Sequence, residues 1–310
     1  MQDRVPPSAA RGDGSRLQQG AFMKSAFITG AAVGQGNMLA KKLAGQGWRV
    51  FAGVLPGAET DLGEVEGVTM IEQDVSDNAS VRASAEQVND QLGREGLDLL
   101  MNVAGVANVA TGLVEGIDME LVPKLFEINT FGQLRVCQAF LPMVRRAPQP
   151  AKILNFGSGA VLASPPMAGA YSMSKHAVHG LTLTLRNELA PFGVQVTSIW
   201  PGAVKTGMTA NSRETTLGSW NAQPEPVKST YAEYLKRGIT ELLPDMIEKK
   251  GNTPDAVTDE ILKIVAQRKL KAWYCVGSDA KPLGVMSRLL PSGSFEALIR
   301  GAYKIPAAKV

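Results

Sequence analysis

The chain has 310 residues, 45% hydrophobic and 20% charged, with a formal net charge of +3. Those proportions describe a globular protein that can bury a large core without staples, and the scattered Lys and Arg exclude the basic stripe of a nucleic-acid-binding surface. Two distant cysteines (Cys137, Cys275) and two histidines (His176, His179) give neither a disulfide framework nor metal-ligand spacing, so no metal site is expected.

In chain order, residues 1–23 carry charges, Pro, Gly and Ser without the apolar stretch of a signal peptide, and read as a disordered tail. A domain over residues 24–305 follows. An apolar run over 26–29 leads into Thr29-Gly30-Ala31-Ala32-Val33-Gly34-Gln35-Gly36 and a helical pattern over 36–44. A glycine-rich turn between strand and helix lets backbone amides and a helix N-terminus approach a pyrophosphate, so Gly30, Gly34, Gln35 and Gly36 are expected against a dinucleotide. The next strand-like run, 49–54, ends without the acid that would hold an NAD ribose. Val54, Leu55 and Pro56 stand there, the first acid is Glu59, and no Arg or Lys offers a partner for the 2′-phosphate of NADP. The expected cofactor is NAD, with NADP the alternative.

Further strand-like runs cover 68–71, 97–102, 152–156, 195–199 and 272–276, and amphipathic helical patterns cover 76–92, 119–144 and 170–189. Apolar strands alternating with helices predict an α/β, doubly wound, mainly parallel seven-stranded sheet of the Rossmann kind. Ser158 follows one strand, and Tyr171 and Lys175 lie one helical turn apart at the start of the next helix. A free phenol, with a pKa of about 10, is a poor base at neutral pH, and the ammonium is expected to lower it. Tyr171 can then exchange a proton with an alcohol or carbonyl while Ser158 holds the reacting oxygen. The segment 206–253 breaks the rhythm with Pro224, Pro226 and Pro244 yet keeps Met208, Leu217, Trp220, Tyr231 and Leu235. With short helices expected around 231–243, it reads as a substrate lid. Trp200, Trp220, Trp273 and Tyr231 are candidates to line an apolar pocket, and residues 270–305 form a C-terminal extension.

Gly30/Gly34/Gly36, Asn102-Val103-Ala104-Gly105, Asn129, Ser158, Tyr171/Lys175 and Pro201-Gly202 occur in the order and spacing of the short-chain dehydrogenase/reductase family, which the chain resembles over residues 24–206. Phe51-Ala52-Gly53-Val54-Leu55 and the tail around 273–281 resemble its 17β-hydroxysteroid, retinol and 3-hydroxybutyrate dehydrogenase branch. The resemblance implies catalytic roles for Asn129, Ser158, Tyr171 and Lys175. Lys175 would also bind ribose, Asp74 and Val75 would face the adenine, Asn102, Ala104 and Gly105 would border the cofactor, and Pro201, Gly202, Val204 and Thr206 would flank the nicotinamide. The expected substrate is a small hydrophobic secondary alcohol or ketone, the expected assembly a cytoplasmic homodimer or homotetramer, and no nucleic-acid or membrane partner is expected. An epimerase or dehydratase on the same scaffold and a non-catalytic dinucleotide sensor are the rival readings.

Overall fold

The computed structural model describes residues 23–147, 150–207 and 209–306. The expected tail, apart from Met23, lies outside them, as does Met208 of the expected lid. Strands β1 (Ser25–Ile28), β2 (Arg49–Val54), β3 (Val68–Glu72), β4 (Leu99–Asn102), β5 (Lys152–Phe156), β6 (Gln195–Pro201) and β7 (Trp273–Val276) form one sheet in the order β3-β2-β1-β4-β5-β6-β7. Every pairing between neighbours is parallel.

Strand alternation explains why these runs are apolar throughout. Ala26, Ile28, Val50, Ala52, Leu99, Met101, Leu154 and Ile199 point to one face, where they meet Leu39, Leu43, Ile261 and Val265. Phe27, Phe51, Leu100, Ile153 and Val196 point to the other, against Val88, Phe140 and Leu185. These partners come from α1 (Gly34–Ala44), α2 (Asn78–Leu92), α4 (Gly132–Arg146), α6 (Gly169–Glu188) and α10 (Pro254–Val265), and the remaining helices are α3 (Leu121–Phe126), α5 (Ala160–Ala163), α7 (Ser212–Asn221), α8 (Glu225–Tyr231), α9 (Leu243–Lys250), α11 (Ala280–Leu289) and α12 (Ser292–Ala302). The Phe27 and Phe140 rings lie 4.2 Å apart between sheet and α4. Truncating either to Ala would cost about 3–5 kcal/mol.

The sheet order reverses between β1 and β4, and ligands of open parallel sheets bind outside the carboxyl ends of the strands at such a point. Two boundaries differ from the sequence reading in ways that bear on the site. The helix expected over 119–144 is three pieces, because a π-helical turn over Glu127–Phe131 joins α3 to α4. The expected lid is helical over most of its length, through α7, α8, two π-helical turns (Ala232–Lys236, Gly238–Leu242) and α9. Its residues Trp220, Val227, Tyr231, Leu235 and Ile239 fold onto each other and onto Leu113 and Met167, whereas Leu217 is exposed. In the C-terminal extension, Gly284 of α11 closes on Cys275, and Tyr303 packs on Gly238 of the lid segment. Among the described residues no helix is long and apolar enough to cross a membrane.

Candidate active site

The carboxyl edge of the sheet is knitted by the glycine turn. Gly30 has a φ of +63°, and a Cβ there would stand 2.7 Å from the Ala104 Cα. A Cβ on Gly36 would meet the Gly30 carbonyl oxygen at 2.4 Å, so any larger residue would push α1 off the turn. Thr29 Oγ1 accepts from the Ala104 amide at 2.9 Å, which ties the turn to the end of β4. Gly34 differs, because nothing lies within 4 Å of the place its Cβ would take. The α1 N-terminus has no side-chain cap and no acid in its first turn, so its leading amides are left for an anion. The Gln35 side chain donates to Thr258 Oγ1 at 2.6 Å and so turns toward α10. An open Gly34 beside uncapped amides is a cradle that fits a pyrophosphate.

Across the edge, α6 presents Tyr171 and Lys175. The Lys175 side chain is buried, its Nζ donates to the Phe156 carbonyl at 3.0 Å, and it lies 5.7 Å from the Tyr171 ring centre. Gly105 makes this possible, since a Cβ there would come within 3.3 Å of Lys175 Nζ. Burial depresses the Lys175 ammonium from its ordinary 10.5 to about 8. Tyr171 is hydrogen-bonded to Ser158, whose Oγ also accepts from the Ala160 amide at 3.1 Å. Burial pushes the Tyr171 phenol above its ordinary value, and the Ser158 hydrogen bond pulls it partway back. This corrects the expectation of a lowered phenol: burial disfavours the charged form of both groups, and at Tyr171 it outweighs the hydrogen bond with Ser158.

Ser158 sits at the end of β5, flanked by backbone hydrogen bonds from Gly157 to Ile199 (2.8 Å) and from Gly159 to Pro201 (2.8 Å). Asn129, fully buried, stands in the π-helical turn. Its Oδ1 accepts from the Val106 amide at 2.8 Å, and its Nδ2 donates to the Val106 carbonyl at 2.9 Å and to Ser174 Oγ at 3.2 Å. Ser174 in turn donates to the Tyr171 carbonyl at 2.7 Å. Asn129 therefore braces the turn after β4 against the second turn of α6.

Thr29, Val75, Asn102, Ala104, Ile128 and Gly132 line one small crevice at the switch point. Within it the Asn102 side chain faces inward, donating to Asn155 Oδ1 at 2.8 Å. Asp74 Oδ1 is engaged by Ser76 through the amide (2.8 Å) and hydroxyl (2.6 Å). Beyond β6, a Cβ on Gly202 would stand 2.0 Å from Asp279 Oδ1. Asp279 accepts from the Ala203 amide at 2.8 Å and from Asn252 Nδ2 at 2.7 Å, so it clamps the turn that begins at Pro201. Val204 bridges to Asn252, and the Thr206 amide donates to Thr209 Oγ1 at 3.0 Å. The sequence reading gave no site role to Asn252, which belongs to no motif, or to Asp279, which lies in the 273–281 stretch, because the two meet only in the folded chain. The four candidate aromatics divide. Trp220 and Tyr231 pack in one cluster with Leu113 and Met167, whereas Trp200 and Trp273 stack on each other at 5.4 Å against His179.

The sequence profile of the family described as short chain dehydrogenase matches residues 24–217. The chain is similar to 17-beta-hydroxysteroid dehydrogenase type 6 of Homo sapiens, at 31% identity over 93% of this chain and 91% of that protein. It is 31% identical to retinol dehydrogenase 5 of Mus musculus, over 92% and 90% of the two chains. Its fold resembles a crystal structure of a short chain dehydrogenase/reductase from Burkholderia phymatum in complex with NAD, with a TM-score of 0.67 and 26% identity over 89% of this chain and 95% of that one.

Proposed function

The chain belongs to the short chain dehydrogenase family, in its hydroxysteroid and retinol dehydrogenase-like branch, and from that premise we propose that it interconverts a hydrophobic secondary alcohol and its ketone with NAD. It is an oxidoreductase acting on CH–OH groups. The observation that carries the finer reading is the convergence of Ser158, Tyr171 and Lys175 at the carboxyl edge beside the glycine cradle.

Gly30, Gly34, Gln35 and Gly36 would hold the pyrophosphate, Asp74 and Val75 the adenine side, Asn102, Ala104 and Gly105 the middle, and Pro201, Gly202, Val204 and Thr206 the nicotinamide side. When bound, the nicotinamide accepts or gives the hydride. The protein's own part is the proton. Ser158 donates a hydrogen bond to the reacting oxygen, and Tyr171 takes the alcohol proton or returns it to the carbonyl. Lys175 favours the phenolate and holds ribose hydroxyls, and Asn129 keeps the turn that faces Lys175 in place. The apolar cluster of Leu113, Met167 and Trp220 beneath the lid supports an apolar substrate. The exposed apolar residues Phe131, Leu134, Met173 and Leu183, around α4 and α6, support a homodimer or homotetramer. Two free cysteines are consistent with a reducing cytoplasm.

A panel of apolar secondary alcohols and ketones, followed by absorbance of the reduced cofactor, tests this reading. Cofactor reduction in step with ketone formation is expected. Turnover without net change in the cofactor would replace the reading with an epimerase.

A further inference from the structure

We propose that Arg135 is a positioning residue that couples the adenine side of the cofactor site to the turn carrying Asn129. The proposal rests on the functional reading above, in which Val75 borders the adenine. Arg135 stands on α4 with its side chain 17% exposed. Its Nε donates to Asn78 Oδ1 at 2.8 Å, and its Nη1 donates to the carbonyls of Glu127 (3.1 Å) and Val75 (3.4 Å). Its Nη2 pairs with the Glu127 carboxylate.

One planar fork therefore grips two segments that no strand or helix joins. The first is the turn from Val75 to Asn78 that opens α2. The second is Glu127, the first residue of the π-helical turn, whose carbonyl also accepts the Gly132 amide in the wide hydrogen bond that defines such a turn. Two residues further on is Asn129. The same turn ends at Gly132, where a Cβ would strike the Val75 side chain at 2.9 Å. Val75 is thus set by Gly132 beneath it and by Arg135 at its carbonyl. A lysine could replace the charge but not the fork, because an ammonium on a flexible stem does not span four acceptors in fixed directions.

The test compares wild type, Arg135→Lys, Arg135→Met and Asn78→Ala. Fluorescence titration is run with NADH and with reduced nicotinamide mononucleotide, which lacks the adenine half. Wild-type binding of NADH comes first, and its absence would refute the oxidoreductase reading and this proposal together. With binding established, Arg135→Met is expected to weaken NADH by at least about tenfold while leaving the mononucleotide within about twofold, with Arg135→Lys and Asn78→Ala between. The Met variant should also lower kcat with either nucleotide, because Asn129 loses its anchor. If Arg135→Met fails to fold, Asn78→Ala, which removes one arm of the grip at an exposed position, carries the test alone. Unchanged NADH affinity in folded variants, or equal weakening of NADH and the mononucleotide, would overturn the proposal.

Discussion

Lys175 carries its charge where burial resists it. Its only hydrogen-bond partner among the described residues is the Phe156 carbonyl, and its folded value of about 8 lies below the ordinary 10.5. Below pH 8 it is charged in both folded and unfolded chains, so the whole cost of burying an ammonium weighs on the fold. Between about 8 and 10.5 the unfolded chain binds more protons than the folded one, and stability rises with pH across that window. Lys175→Met is therefore expected to abolish turnover yet raise the thermal midpoint at pH 7, by about 2–4 °C for each kcal/mol recovered. The gain should fade as the pH approaches 10.5. Melting curves of both proteins across pH check this, and a lower midpoint for the Met protein at pH 7 would contradict it. The identities of Ser158, Tyr171 and Lys175 were legible in the sequence because their spacing along one strand end and one helix turn fixes their approach. The direction in which Tyr171 titrates was not, because it depends on how densely residues far apart in the chain surround the phenol.

The segment over residues 206–253, proposed as a substrate lid, is held to the domain by contacts that cross from one element to another. Gln223, between α7 and α8, is buried, and its Oε1 accepts from the Leu113 amide at 3.1 Å. Gly112 and Gly116 lie on either side of its amide, each so close that a Cβ would come within 2.6 Å of it. Tyr231 on α8 adds a hydrogen bond to Glu115 at 2.9 Å. Ala110 and Met167, both at positive φ without being glycine, mark strain in the loops next to Leu113 and the start of α6. Gln223→Ala is expected to leave the sheet intact, speed hydrogen exchange over residues 212–250 and raise KM for an apolar substrate severalfold more than it lowers kcat. Exchange unchanged from wild type, or a loss confined to kcat, would mean that Gln223 does not hold the lid. The strands were read from the sequence to within two residues at each end, since runs buried on both faces are apolar throughout. The helices over residues 212–250 and the turn bearing Asn129 were obscured, because prolines and π-helical turns interrupt the 3.6-residue period on which such reading depends.

Cofactor preference depends on charges distributed over the whole molecule. An enzyme that takes NADP needs a free cation near the end of β2, and the cations closest in sequence are committed elsewhere. Lys41 pairs with Asp61 at 2.5 Å, Lys42 with Asp255 and Asp259 at 2.6 Å each, and Arg49 lies over the Phe51 ring at the opposite end of the strand. A 2′-phosphate would therefore be desolvated with no charge-assisted partner, and NADH is expected to bind at least about tenfold tighter than NADPH. Titration showing NADPH tighter would require Lys41 or Lys42 to leave its carboxylate partner. The proposed reaction requires this fold to bring Tyr171 to a reacting alcohol beside a bound nicotinamide. It is tested most directly by the initial rate of cofactor reduction with the best secondary alcohol, measured for wild type and Tyr171→Phe alongside each protein's affinity for NADH. Loss of at least about a hundredfold in kcat at unchanged NADH affinity is predicted, and a folded Tyr171→Phe protein that turns over at the wild-type rate would contradict it.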